Sequence, residues 1–310
     1  MNNAMKTSLL DEAYDCFNKG LFGESAKILD KALSIDFEDQ RIICALKCAN
    51  FWKGKEEKLE SISEHFAKGE YLLKEWINFS SFFSGFSESD EKCLNTIRQW
   101  CFGNALKSYE KVFYDSGGND SGILFRIGRC YKSIGDYENA LNFLERTFRL
   151  QKENSTVIAE LADCYALINE VKTAKIFFRE AFFIDPQKIE FAFLESLMIE
   201  RLINQMKDLG ITGEAAREWL PVYGVVYGVL NIKRELKPLE LGKLKQSIFS
   251  YENRLEENSD VGSETMPRLL NYYFRLIDHY ICVAEERAKI EDILRKIKRL
   301  NDEIFMEYIN

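Results

Sequence analysis

His65 and His279 are the only histidines of this chain, and they lie 214 residues apart. Neither is followed at helical spacing by another His or Cys, so a zinc site or a Ser-His-Asp relay lacks its parts. Eight cysteines stand at 16, 44, 48, 93, 101, 130, 164 and 282, and none forms a CxxC pair. Most fall among apolar residues in helical patterns, where a thiol behaves as a small hydrophobe. They are either reduced core thiols throughout or include one bridged pair, and the first alternative places the protein in the cytoplasm. HExxH, GxSxG, GxGxxG and the phosphate-cradling GxxxxGK with Ser or Thr are all absent. The 50 Asp and Glu residues offer chance acid/base pairs, yet their ordinary place is a solvated helix surface. The expectation is a protein that is not an enzyme and uses no metal or cofactor.

The elements that would position any site come next. Of 310 residues, 46% are hydrophobic and 30% charged, a composition that is neither disordered nor membrane-embedded. Lys and Arg total 42 against 50 acidic residues, a net charge of −8. That balance argues against a general binder of nucleic acid or anionic membranes, which needs a basic surface. The opening MNNAMKTSLLDEAYDC sets only Leu9 beside Leu10 before acidic residues return, unlike a secretory signal. The longest apolar run, Val222 to Leu230, is too short to span a membrane and holds two glycines. Only 4 prolines occur, as expected of a chain that is helical nearly throughout.

Between Ser121 and Asp185 the chain repeats itself. SGILFRIGRCYKSIGDYENALNFLERTFRL is followed by STVIAELADCYALINEVKTAKIFFREAFFI, shifted by 34 residues. Leu124 pairs with Ile158, Ile127 with Leu161, Gly128 with Ala162, and Cys130-Tyr131 with Cys164-Tyr165. Ala140, Leu144 and Phe148 then pair with Ala174, Phe178 and Phe182. Leu124, Ile127, Gly128 and Tyr131 lie on one helix face, and Tyr137, Ala140, Leu141, Leu144 and Phe148 on another. Gly135-Asp136 breaks the two, so each copy is a helical hairpin. The small residue at 128 or 162 lets its two helices approach, with a tyrosine beside it. Pro186 is placed to open the next helix at its first turn.

This order of small residue, ring, tight turn, alanine and bulky residues resembles the tetratricopeptide repeat. Asn169-Glu170 departs from the usual Gly-Asp turn, Lys152 stands where proline is commonest, and no tryptophan lies near each start. The clearest copies are 121–154 and 155–188. A weaker one over 6–39 carries Ala13, Cys16, Gly20, Phe22, Ser25, Leu29, Ala32 and Leu33. Another over 86–119 carries Ala105, Tyr109, Val112 and Phe113, while Arg41 to Phe86 reads as irregular helix broken at FFSGF. The resemblance implies an all-α fold, a right-handed superhelix or α-solenoid of antiparallel hairpins over residues 1–203.

Residues 204–310 lose the 34-residue register and form an all-helical extension of degenerate repeats or capping helices. A helix is expected to end near Trp219-Leu220, another to run from Pro238 to about Asn258, and NSDVGSETM to be a polar loop. Pro267 then opens a long final helix or helix pair. Val283, Ile290, Ile293, Ile297, Leu300 and Ile304 follow a mostly three-four spacing interrupted at Glu286. They form either a short seam for self-association or one face of a helix that caps the array. MKDLGITGEAAREWL looks like a DNA-binding helix-turn-helix, with Gly210 in the turn, Ile211 inward, and Ala216 and Trp219 as anchors. Its second helix offers Glu214 and Glu218 beside a single Arg217, which favours a plain helical turn.

In the family it resembles, the first helix of each hairpin lines a concave groove that holds a peptide or helix of another protein. The corresponding positions here are Phe125, Arg129, Lys132 and Ser133, then Ala159, Asp163, Ala166 and Leu167. The family variant that grips a terminal carboxylate uses Lys and Asn where this chain has Leu10 and Tyr14, so that clamp is missing. The expected function is a non-catalytic scaffold or adaptor that binds a partner protein. The alternatives are a DNA-associated regulator working through 204–220, and a structural subunit that self-assembles through its last helix.

Overall fold

The computed structural model describes residues 2–86, 90–257 and 264–310. Among them every regular element is a helix, and the chain divides into two compact units, 1–150 and 151–310. The fold is an all-α helical repeat.

In the first unit α1 (Asn2–Asn18) and α2 (Phe22–Ile35) form a hairpin, followed by α3 (Gln40–Trp52) and the short α4 (Lys55–Ser61). Long helices α5 (His65–Phe83) and α6 (Glu91–Asp115) pair next, then α7 (Ser121–Ser133) with α8 (Tyr137–Leu150). Side chains of Asp39, Asp90 and Asp120 accept from backbone N–H groups of the first turns of α3, α6 and α7. Each satisfies donors that a helix start leaves open and so fixes where the helix begins.

The α7/α8 hairpin closes around Gly128. A Cβ there would lie 2.8 Å from Leu144 Cγ, so only a residue without a side chain permits this approach. The same device recurs at Gly69 of α5, where a Cβ would collide with the Tyr109 ring of α6. Forty residues separate Gly69 from Tyr109 and sixteen separate Gly128 from Leu144, so the α5/α6 hairpin carries twenty-four more. They lengthen both helices, 19 and 25 residues against 13 and 14, and the turn between them. The lengthened α6 packs on α1. Tyr14 Oη donates to Asp90 at 2.5 Å, and Trp100 meets Phe22 edge-on with ring centroids 4.8 Å apart.

The second unit begins with α9 (Ser155–Leu167) and α10 (Val171–Ile184). Their turn repeats the one between α7 and α8. Asp136 N donates to Tyr131 O at 2.9 Å and Glu170 N to Tyr165 O at 2.8 Å, with Gly135 and Asn169 both at positive φ. Asparagine takes the left-handed conformation at modest cost, which is why losing glycine does not lose the turn. Tyr131 stacks on Phe143 and Tyr165 on Phe177, at 5.7 and 5.6 Å between centroids.

Pro186 opens only a 3-10 turn, Pro186–Lys188, where a further α-helix was expected. Then come α11 (Leu197–Asp208), α12 (Gly213–Val226), α13 (Pro238–Glu256), α14 (Thr265–Cys282), α15 (Arg287–Leu300) and α16 (Asp302–Ile309). Helix α12 runs past the expected stop at Trp219-Leu220 and through Pro221. Most of the loop expected over 258–266 lies outside the described residues. The end of the chain is three helices, not one or two. Ala284 at φ +51 turns the chain after α14 and Asn301 caps α16.

Candidate interaction surface

The first helices of the two clearest hairpins supply the sequence-predicted surface, and each is placed within its own unit. On α7, Phe125 is half-buried, with the Arg129 guanidinium 4.6 Å from its ring centroid. Arg129, Lys132 and Ser133, expected to be exposed, are buried at 4%, 0% and 3% exposure and engaged within the chain. On α9, Ala159 and Asp163 are buried as well, while Ala166 and Leu167 are half-buried.

Asp163 has a structural task. Its carboxylate accepts from Glu195 N at 2.8 Å and Ser196 N at 2.9 Å, satisfying backbone donors of the segment that leads into α11. Helical spacing gave these side chains a face but could not reveal which other segment would cover it. The acceptor for the N–H groups of residues 195 and 196 lies some thirty positions away, and local sequence carries no sign of it.

Arg126, beside Phe125, forks onto Glu70 with Nε to Oε1 at 2.5 Å and Nη2 to Oε2 at 2.9 Å. Tyr109 Oη donates to the same carboxylate, tying α5, α6 and α7 together. Burial pushes Glu70 up, but the Arg126 and Tyr109 hydrogen bonds outweigh it and hold this carboxyl below its usual range. Burial, with the hydrogen bond to Glu110, pushes the Tyr131 phenol up to about 12.

The helix-turn-helix reading fares differently from its expected geometry. Gly210 does make the turn, at φ +76, and Ala216 is buried. Arg217, however, donates to Gln187 O at 3.2 Å and lies over the Phe191 ring. Glu218 is not on the surface but buried, bound by Arg268 at 2.7 Å. Of the three charges expected to meet a ligand, Glu214 alone is exposed.

The proposed self-association seam is turned into the chain's own core. Ile293, Ile297 and Ile304 belong to the apolar cluster around α14, and Ile290 and Leu300 pack against it. Val283 lies outside the cluster, 38% exposed at the end of α14. The isoleucine and leucine side chains are therefore packed within the chain and do not form an open apolar seam.

All eight cysteines are free, six of them buried, Cys16 half-buried and Cys282 exposed. His279 Nδ1 accepts from Leu236 N at 3.1 Å, a core hydrogen bond. Among the described residues no helix is long and apolar enough to cross a membrane.

The turn shared by α7/α8 and α9/α10, and the glycine closed against a bulky side chain in α5/α6 and α7/α8, define an α-helical repeat protein. Residues 121–154 match the tetratricopeptide repeat, so the α7/α8 hairpin is similar to a repeat of that family. No curated protein matches it. Repeats of this kind serve protein–protein interaction in general.

Proposed function

We propose that this protein is a non-catalytic scaffold or adaptor that binds a segment of another protein, working in the cytoplasm. The tetratricopeptide match over 121–154 carries this reading. Eight free thiols agree with a reducing compartment. The part of the first-helix surface open to a partner is Phe125 in the first unit and Ala166 and Leu167 in the second. Apolar anchors of this kind suit a peptide or helix side chain, with charges around them setting register. Residues 1–203 are the repeat-derived portion in this reading, and 204–310 close its end.

Affinity capture from lysate, comparing the wild type with Phe125→Ala and with Leu167→Asp, tests it. Discrete partners lost with either variant, at unchanged helicity, are expected. Capture of the same proteins by all three would move the site off these helices. Reversing Arg129 and Lys132 is the wrong probe, because burying a carboxylate at 4% and 0% exposure tests folding first.

A further inference from the structure

The first unit holds a cleft that the repeat pattern does not foresee. Helix α4 stops after 7 residues, where α2 and α8 run for 14. Beside it opens a cavity of about 390 Å³ walled by the α1–α2 turn, α4, the start of α5 and α6. Leu21, Leu59, Leu72 and Trp100 give it an apolar floor. Trp100 can lie there because residue 20 is glycine: a Cβ would collide with its indole nitrogen.

The rim is basic. Lys19 comes from the α1–α2 turn, Lys68 from α5, and Lys107 and Lys111 from one face of α6. Among the described residues none of the four makes an ion pair, although the chain carries −8 overall. Glu56 and Glu60 of α4 oppose them, so the lining holds two more lysines than carboxylates. Other lysines of this unit do pair, Lys6 with Asp36 and Asp39 and Lys92 with Asp11, while among the described residues Lys27 and Lys31 of α2 stand unpaired like these four but outside the cleft. Four lysines converging without partners on an apolar floor are donors left open for carboxylates from outside the chain.

The geometry points to this cleft as the docking site for an acidic, Asp/Glu-bearing segment of a partner protein. It rests on the interaction reading above and names the chemistry of one partner. The lysines of the α1–α2 turn, α5 and α6 take the carboxylates, and an apolar side chain between them sits against Leu72 and Trp100. The occupant is a protein segment because the fold is an interaction repeat, and it is acidic because the open charges are lysines.

The test titrates the full chain with a labelled peptide of alternating Glu and Gly, about eight residues long, and with its Gln/Gly counterpart. The Glu peptide is expected to bind, to weaken as salt rises, and to lose about tenfold or more in affinity with Lys107→Glu/Lys111→Glu. Both lysines are exposed and unpaired, so this variant keeps its helicity. Lys27→Glu/Lys31→Glu on α2 changes the net charge equally and should leave affinity unaltered. Equal binding of the Gln peptide, equal loss with both double variants, no loss with either, or no binding of the Glu peptide overturns the assignment. If lysate capture of partners nonetheless persists in the Lys107→Glu/Lys111→Glu chain, the interaction reading stands and the cleft alone is refuted.

Discussion

Replacing Gly128 by alanine tests whether close helix approach holds the repeat together. Alanine is the better helix former by about 1 kcal/mol, so an exposed glycine here would gain stability from the change. In the structure the new Cβ would lie 2.8 Å from Leu144 Cγ, 3.0 Å from Cδ2 and 3.1 Å from the Leu144 backbone nitrogen. The nearest atom is a branch carbon and the third is main chain, so the clash cannot be relieved by swinging a flexible end. Overpacking of this kind costs about 1–3 kcal/mol, which exceeds the helical gain. The net expectation is a loss of about 1 kcal/mol, or about 3 °C in the melting midpoint of a unit this size. Urea and thermal melts of the full chain, followed by helicity, measure it. In a Leu144→Ala background the penalty should shrink, because the Cβ then meets only backbone, and the two changes should couple. A Gly128→Ala chain as stable as the wild type, or a penalty unchanged by Leu144→Ala, would refute the packing argument.

Four further outcomes follow from named contacts. Arg179 Nη2 binds Asp278 at 2.9 Å with both side chains under 10% exposed, so Arg179→Met should cost about 3–5 kcal/mol by leaving a buried carboxylate unpaired; urea melts should show Arg179→Met/Asp278→Leu recovering most of it. Glu70 has a folded pKa below its unfolded value, so its contribution is present above the unfolded pKa and lost as pH falls through the folded one; the stability gap between wild type and Glu70→Gln should therefore close on acidification. A thiol reagent should label Cys282 quickly and Cys16 slowly, reaching the six buried cysteines only after unfolding, and rapid labelling of all eight would contradict the packing. Truncation before α15 should destabilise and aggregate the protein by uncovering the α14 core, and sedimentation showing a clean drop from dimer to monomer would instead favour the self-association seam.

What the sequence made legible was the part of the fold with local causes. The 34-residue spacing placed Gly128 and Ala162, the paired tyrosines and the turns, and the structure puts them where the spacing requires. Asn169 shows why a motif departure cost nothing: it adopts the same left-handed turn as Gly135. The α5/α6 hairpin was half seen, through Ala105 and Tyr109. Its partner Gly69 was missed because twenty-four inserted residues move it out of register. Exposure was the weakest inference, because it depends on chain far away in sequence. Lys132 and Asp163 sit on faces that helical periodicity leaves free, yet the folded chain covers both. The lysine cleft was illegible for the same reason: Lys19, Lys68, Lys107 and Lys111 converge only because α4 is short and α6 reaches back to α1.

Hydrogen–deuterium exchange of the full chain, alone and bound to a partner recovered by affinity capture, tests the interaction claim most directly. The account predicts new protection in the repeat helices, at α7 or α9 or along the α4–α6 cleft, with α13 to α16 unchanged. Protection confined to residues 204–310, or no difference between the free and bound chain, would contradict it.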